Sequence, residues 1–499
     1  MGIIKTQAIQ STLFNYLGVL VGFLNSTLLM PNLLSKENIG LFGFLNSTTI
    51  IFSTIFSFGV PLITVKMFPK FREIDNPKHS GFFAFSFLMT VIGGVMGISV
   101  YLLLEDNLIA DKNEASFFSP FVFGFSALFL GRLFFKNFDP FVRMLYNSVL
   151  GAITENLLSK VILTMALGIY WYVQGYEFKY LFIFYIIGLS IPGITSLAYI
   201  ISKKSFNFDV EKFHLTSVGL KREMATLGLF GLLGSMGTII VLEVDRIMIS
   251  NMLGLEYTGI YSTVFFFGIF VSIPAKSVKR IAIVVLSDAW KENNLSVIKE
   301  VYSKSCLNQF LLAVYLFLGI WVNIDFVFEI IPPEYAAGKY VILFIGIGQL
   351  FDMLTGVNTE IISTSKYFRY NTFFITFLIT LVIILNYIFI PIYGINGAAA
   401  ASALAVILIN IMRYAFLYIK LDHQPFDIRI GKIVALGLIC FGAISMVPIF
   451  DNVFINILLR GTMLTLLYWI PALYFRISED IYSTFVKVIQ SILGSKNND

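Results

Sequence analysis

The sequence predicts an all-α membrane protein of about fourteen transmembrane helices, built as two parallel six-helix repeats plus two C-terminal helices. Three observations carry that expectation. Of 499 residues, 57% are hydrophobic and only 13% charged, with a mean hydropathy of +0.83; soluble domains carry roughly 25% charged residues. Apolar windows recur from end to end at about 20 residues, the length that crosses a hydrocarbon core of about 30 Å. A polar loop motif also occurs once in each half.

The windows of the first half lie near residues 10–31, 41–65, 81–104, 117–136, 147–173 and 179–202. Those of the second half lie near 225–250, 257–275, 305–324, 338–364, 370–391 and 394–419, and two more follow at 431–449 and 453–475. Orientation comes from the connections, because Lys and Arg collect on the cytoplasmic side. The basic connections are 66–78, 132–143, 203–222, 276–304, 366–369 and 413–432. With both tails they hold about 28 of the 35 Lys and Arg, against about four on the opposite face. An even number of spans then puts both termini of a multi-pass protein in the cytoplasm. The opposite connections are short and acidic, with Glu105, Asp106 and Asp111 in one and Asp325, Glu329 and Glu334 in another. The net charge of +5 therefore reports topology and attraction to anionic lipid, not nucleic acid.

The repeat rests on a loop. Asn32, Leu34, Glu37 and Gly40, between the first two spans, recur as Asn251, Leu253, Glu256 and Gly259 between the seventh and eighth. The same displacement carries Gly175 onto Gly394, between spans five and six of each set. Six spans preserve orientation, so the halves are expected to be parallel repeats about an axis along the membrane normal. The expected division is an N-terminal lobe over 1–210, a linker over 211–224, a C-terminal lobe over 225–420, and two accessory helices with a cytoplasmic tail over 425–499.

Intramembrane polar residues are functional candidates because a charge in lipid costs roughly 3 kcal/mol or more unless it finds a partner or water. Span one carries Gln7, Ser11, Asn15, Gly18, Gly22 and Asn25 at helical spacing. Span seven carries Gly228, Gly231, Ser235 and Thr238, with Glu243, Asp245 and Arg246 beyond them. Span ten places Gln349, Asp352, Gly356, Thr359, Glu360 and Ser363 within roughly one third of a helix circumference. Glu155 and Lys160 in span five are about 140° apart at 100° per residue and are not expected to pair. Arg246 is placed to pair with Glu243 within its helix, while Asp245 points elsewhere. Arg460 is expected to reach the outer interface.

A guanidinium binds phosphate bidentately and stays charged when buried. Arg246 and Lys160 are therefore the candidate ligands of an anionic cargo, with Asn15, Asn25 and Gln349 as further cavity candidates. Asp352, Glu360, Asp245 and Glu243 are candidate coupling carboxylates. There is no Walker-type loop, and His79, His214 and His423 are isolated in sequence, so neither a catalytic nor a metal-ligand pattern is expected. Most of the 52 Phe and 24 Tyr are expected as lipid-facing bulk and interfacial belts.

The stretch from Asn386 to Ala403 reads NYIFIPIYGINGAAAASA. Pro391 ends a span, Gly394 and Gly397 make a tight turn, and the alanines let the next span pack closely. It resembles the eleventh-to-twelfth-span turn of the polysaccharide-biosynthesis flippases, the O-antigen type included, of the multidrug/oligosaccharidyl-lipid/polysaccharide exporter superfamily. Val244-Asp245-Arg246 followed by Gly259-Ile260-Tyr261-Ser262 resembles the same family's seventh-to-eighth-span signature.

The resemblance implies two multidrug-exporter-like lobes and a flippase rather than an enzyme. Its cargo would be a polyprenyl-pyrophosphate-linked oligosaccharide, carried by alternating access to the outer leaflet of the bacterial cytoplasmic membrane. The pyrophosphate would sit in a central cationic cavity and the prenyl tail in lipid. The resemblance implies no cofactor, leaves coupling to H+ or Na+ open, and adds membrane lipid and other polysaccharide-assembly proteins as partners. Relatives that flip peptidoglycan precursors place Arg in their first two spans, where span one here has only amides and small residues. Two alternatives stand beside this reading. One is a cation-coupled small-molecule exporter of the same superfamily. The other is a membrane glycosyltransferase or polysaccharide polymerase using Glu105, Asp106 and Asp111.

Overall fold

Inside lipid, backbone polar groups are satisfied only within a helix or a closed barrel. The chain takes the helical solution in a computed structural model that describes residues 2–72, 82–108, 119–173, 177–205 and 218–492, among which there is no strand. His79, His214, Asp111, Gly175 and half of the expected linker, 211–217, lie outside the described residues, as do the side chains of Glu105, Asp106 and Thr238.

The first helices are α1 (Gly2–Leu24, continued by a π-helical turn Asn25–Leu29), α2 (Lys36–Ile55), α3 (Val60–Phe71), α4 (Phe82–Leu108) and α5 (Ser119–Met144). A π-helical stretch, Ala152–Leu158, leads into α6 (Ser159–Tyr172), and α7 (Phe178–Ser202) and α8 (Val218–Leu253) follow. After α9 (Leu255–Phe270) come α10 (Ile273–Lys291), α11 (Leu295–Trp321), α12 (Lys339–Leu354), α13 (Asn358–Thr364) and α14 (Phe368–Leu421). The chain closes with α15 (Ile428–Ser445), α16 (Val453–Tyr474) and α17 (Glu479–Ile492). Two compact units result, Met1–Thr263 and Val264–Asp499, with the division falling inside α9.

Among the described residues, ten helices are long and apolar enough to cross a membrane, or eleven when the bent pair Gly219–Gly237 and Ile239–Leu253 counts as one span. The difference from fourteen has identifiable sources. α14 is a single run of 54 residues interrupted at Gly394, whose φ of 59° and ψ of −140° suit glycine alone. α9 has only 16 residues. α5, which is not among the ten, carries Arg132, Lys136, Asp139 and Arg143 along one continuous helix, so 132–143 is not the basic loop expected from charge counting.

In the first unit, Ser35 caps α2 by accepting from Asn38 N at 3.3 Å, and the chain turns at Phe58 and Gly59, both with positive φ, before α3. The aromatic residues there depart from expectation. Phe68, Phe82, Phe83, Phe138 and Phe141 are each fully buried and make one core between α3, α4 and α5. Phe68 and Phe141 meet edge to face with centroids 4.8 Å apart. With little apolar gain from helix association inside lipid, such shape-complementary contacts hold helices together.

The repeated loop motif also has a structural meaning. A Cβ on Gly40 would lie 1.9 Å from Leu255 O, and one on Gly259 would lie 2.0 Å from Lys36 O. The two copies of the motif therefore pack backbone to backbone, each glycine under the partner's carbonyl, and Lys36 Nζ meets Glu256 at 2.6 Å beside them.

In the second unit, α15 and α16 pack on α11 through Ile433, Cys440, Leu464 and Tyr468 against Phe310, Val314 and Leu318. Arg460 does not reach for the interface. It is 7% exposed, donates to Val447 O at 2.8 Å and Ile444 O at 3.3 Å, and lies 5.0 Å from the Phe326 ring centroid. It binds carbonyls at and just beyond the C-terminal end of α15, of which Ile444 O also accepts from Val447 N at 3.1 Å.

Gly40→Leu is expected to lower the melting temperature of the detergent-solubilised protein by several degrees, because no rotamer removes the clash with Leu255 O. Gly234→Ala, where a Cβ meets nothing within 4 Å, is expected to leave it unchanged. Equal melting of the two variants would show that the glycine contact does not hold the motif copies together.

Candidate functional site

α2 is the polar rail of the first unit. Of its apolar window 67% is buried, the largest share among the described spans, yet Ser47, Thr48, Thr49, Ser53 and Thr54 are all buried along it. Thr49 and Thr54 donate to carbonyls four residues back, so their oxygens keep acceptor capacity toward neighbours.

Helix α5 uses that capacity. Arg132 Nη2 donates to Asn46 Oδ1 at 2.5 Å, and one helical turn on, Lys136 Nζ donates to Thr54 Oγ1. Also on α2, Ser47 Oγ donates to Glu243 Oε2 at 2.6 Å, the same oxygen that accepts from Arg246 Nη1 at 2.7 Å. The expected Glu243–Arg246 pair therefore forms within α8 and is tied to α2. Arg246 is 4% exposed. Asp245, 1% exposed, does point elsewhere: its Oδ2 accepts from Tyr261 OH at 2.5 Å.

Lys160, half-buried on α6, completes the cluster. The π-helical stretch before it changes the angular spacing that a regular α-helix would give to Glu155 and Lys160, which are five residues apart. The two lie within electrostatic reach but not in ion-pair contact, and Arg132 and Lys136 also act on Glu155. Arg132, Lys136 and Lys160 thus have no carboxylate contact among the described residues, whereas Arg143 pairs with Asp139 at 2.7 Å. Hydrogen bonds to charged groups contribute about 1.5–3 kcal/mol, less than the several kcal/mol of desolvation per buried ion. The interior of this unit is left short of negative charge.

The polar stripe of α1 is a packing seam. Gln7 donates to Tyr146 O at 2.9 Å, Asn156 Nδ2 donates to Asn15 Oδ1 at 2.9 Å, and a Cβ on Gly18 would lie 1.8 Å from Asn156 O. Asn25, 1% exposed, donates to Lys160 O at 2.9 Å and accepts from Thr164 Oγ1 at 2.8 Å. Both asparagines join helices and fix the backbone that presents Lys160.

The second unit holds the span-ten residues on two helices rather than one. Gly356, with φ of 62°, breaks the span between α12 and α13, so the stripe from Gln349 to Ser363 is not a continuous helical face. Asp352 Oδ2 meets Lys279 Nζ at 2.8 Å, and its Oδ1 accepts from Asn410 Nδ2 at 3.3 Å. Glu360 on α13 and the buried Arg413 on α14 lie within electrostatic reach of that pair. Gln349 is half-buried and has no hydrogen bond among the described residues.

Arg132, Lys136, Lys279 and Arg413 were not among the sequence candidates. All four fell in stretches assigned to basic cytoplasmic connections, yet each lies in a helix. The signal available was the four-residue spacing of Arg132, Lys136 and, after Pro140, Arg143 among phenylalanines.

The family profile described as polysaccharide biosynthesis protein matches residues 4–276, more than half the chain. The chain belongs to that family. A relative of the same length class, an uncharacterized membrane protein of Methanocaldococcus jannaschii, is 20% identical over 465 residues, covering 87% of this chain and 88% of the relative. Among solved structures, the lipid II flippase MurJ in an inward closed conformation superposes with a TM-score of 0.70 at 15% identity, over 94% of this chain and 99% of that one. An inward-facing multidrug-resistance MATE transporter of the MOP superfamily superposes with a TM-score of 0.64 at 13% identity, over 83% and 94%. This polysaccharide biosynthesis family member therefore shares the fold of those transporters, as the resemblance implied.

Glu243→Gln should remove the carboxylate that Arg246 meets at 2.7 Å and destabilise the protein by about 3–5 kcal/mol. Ser47→Ala, which removes one hydrogen bond to the same oxygen, should cost nearer 1 kcal/mol. Thermal or denaturant melting in detergent compares them, and equal losses would contradict the buried ion pair.

Proposed function

We propose that the chain is a flippase carrying a polyprenyl-pyrophosphate-linked oligosaccharide from the cytoplasmic to the outer leaflet by alternating access, for surface polysaccharide biosynthesis. The observation that carries this reading is the set of Arg132, Lys136 and Lys160 inside the first unit, bonded to neutral acceptors or to none. A pyrophosphate supplies the missing negative charge, and a guanidinium beside ammonium groups suits it as a ligand set. Arg246 plays a different part here: its charge is already met by Glu243, so it shapes the site more than it recruits the anion.

The lipid half of the cargo has a complementary feature in the second unit. Phe310, Val314, Phe317, Trp321, Leu350 and Leu438 belong to the walls of an apolar groove of about 300 Å3 between α11, α12 and α15. Such a groove suits an isoprenoid chain. Family membership supports polysaccharide assembly as the setting, and the relation to a lipid II flippase supports a lipid-linked cargo. The protein then sits in the cytoplasmic membrane with both termini inside the cell, alongside the enzymes that build and polymerise the glycan.

A cation-coupled exporter of small molecules fits less well. It would bind positive drugs through accessible carboxylates, whereas Glu243 and Asp245 are each already engaged by Arg246 and Tyr261.

Arg132→Gln and Lys160→Gln are each expected to slow flipping by about 10–100-fold, the equivalent of a lost charge-assisted contact of about 1.5–3 kcal/mol. The amount of inserted protein should not change. Accessibility of a lipid-linked oligosaccharide to an external lectin, measured in proteoliposomes, reads this. Wild-type rates in both variants would reject the anion role.

A further inference from the structure

We propose that α17 is a membrane-surface helix, which rests its apolar face in the headgroup region of the leaflet beside the C-terminus and holds α11 at a fixed depth. None of the candidate cargo residues lies on it, so this role is independent of what is carried.

α17 has 14 residues, which span about 21 Å at 1.5 Å per residue, against a hydrocarbon core of about 30 Å. It is too short to cross. Its residues are nevertheless sorted by face. Ile481, Tyr482, Phe485, Val486 and Ile489 fall within an arc of about 140° at 100° per residue, and Ser483, Thr484, Lys487 and Gln490 fill the opposite arc. At the start of the apolar arc Ile481 packs on the core of Leu464 and Tyr468. Phe485 and Ile489, one and two turns on, are exposed.

The corner before α17 fixes its heading. α16 closes in a Schellman motif, in which Ile477 N donates to Ala472 O at 3.0 Å and Arg476 N to Leu473 O at 3.1 Å. Arg476 takes the left-handed position with φ of 45°, which usually falls to glycine. A side chain stays in that conformation only where its surroundings impose it. Here Ile477 is buried with Ala472, and the Arg476 guanidinium lies 4.5 Å from the Tyr482 ring centroid. Ser478 caps α17 by accepting from Ile481 N at 3.2 Å, and donates to Asn308 Oδ1 at 2.5 Å. Asn308 Nδ2 in turn donates to Asp480 Oδ2 at 2.9 Å. Asn308 belongs to α11, so the first turn of α17 is fastened to that helix.

Continuity identifies what covers the exposed face. Only 22% of the apolar window of α16 is buried, so most of that span meets lipid, and Ile470, Tyr474 and Phe475 at its end are exposed. Residues 475–478 alone separate α16 from α17. The apolar face of α17 therefore begins where a lipid-facing surface ends, at the depth of the membrane interface. A helix with faces sorted in this way lies in the interface plane, its apolar side about 5–10 Å into the boundary between headgroups and acyl chains. A second copy or a soluble partner would have to cover a face that lipid already borders. Electrostatics adds little, because Glu479 and Asp480 outweigh Lys487 on the described helix. Burial of the apolar side holds it.

The test uses the full chain in phosphatidylcholine vesicles, spin-labelled at a single cysteine introduced as Thr484→Cys, Phe485→Cys, Lys487→Cys or Ile489→Cys; the native Cys306 and Cys440 are buried. Power saturation compares collisions with oxygen, which partitions into lipid, and with a nickel chelate, which stays in water. Labels at positions 485 and 489 should meet oxygen several-fold more than nickel, and labels at 484 and 487 the reverse. Added phosphatidylglycerol should leave the ratios unchanged. Two positions on each face keep the comparison if one variant fails to fold. Nickel favoured at all four would put the helix in water, and protection of 485 and 489 from both reagents would put it against protein; either overturns the proposal. So would an oxygen preference that appears only with phosphatidylglycerol.

Discussion

The structure depends on how it pays the electrostatic debt of charges held inside lipid. Some charges are met by direct partners, as Arg246 is by Glu243 and Lys279 is by Asp352. Others receive only neutral acceptors, as Arg132 does from Asn46 and Lys136 from Thr54. Of the first kind, Lys279–Asp352 joins two helices, whereas Glu243–Arg246 lies within one. The second kind is met by a carboxylate only at a distance, from Glu155, which lies within electrostatic reach but not in contact.

Most of the remaining architecture serves to hold these charges in place. α2 supplies the acceptors and is kept rigid by its burial and by hydroxyls that return to its own backbone. α1 lays its amides along the segment that carries Asn156 and Lys160. The aromatic core between α3, α4 and α5 fixes the helix from which Arg132 and Lys136 project. The repeat contributes its own contact, because Gly40 and Gly259 allow two copies of one motif to meet backbone to backbone.

The amino-acid pattern made the helical membrane fold readable because apolar length is a local property of the chain. It also exposed the Gly394 turn and the Glu243–Arg246 pair, both of which depend on residues close in sequence. It failed where meaning depended on which helix lay opposite. Arg132, Lys136, Lys279 and Arg413 sit near the ends of apolar windows, where counting charges assigns them to loops, and only tertiary packing turns them inward. Asn15 and Asn25 looked like cavity residues because an amide in lipid needs a partner, and the sequence does not say whether that partner is cargo or a neighbouring helix. The break at Gly356 was hidden for a related reason, since a single glycine inside an apolar span reads equally as a packing residue.

Binding addresses the central claim most directly, separately from movement. Native mass spectrometry of the purified full chain with a polyprenyl pyrophosphate should show a bound wild-type complex. The Arg132→Gln, Lys136→Gln, Lys160→Gln triple variant should lose at least about tenfold in affinity while melting as wild type does. Equal affinity in a properly folded triple variant would contradict the account.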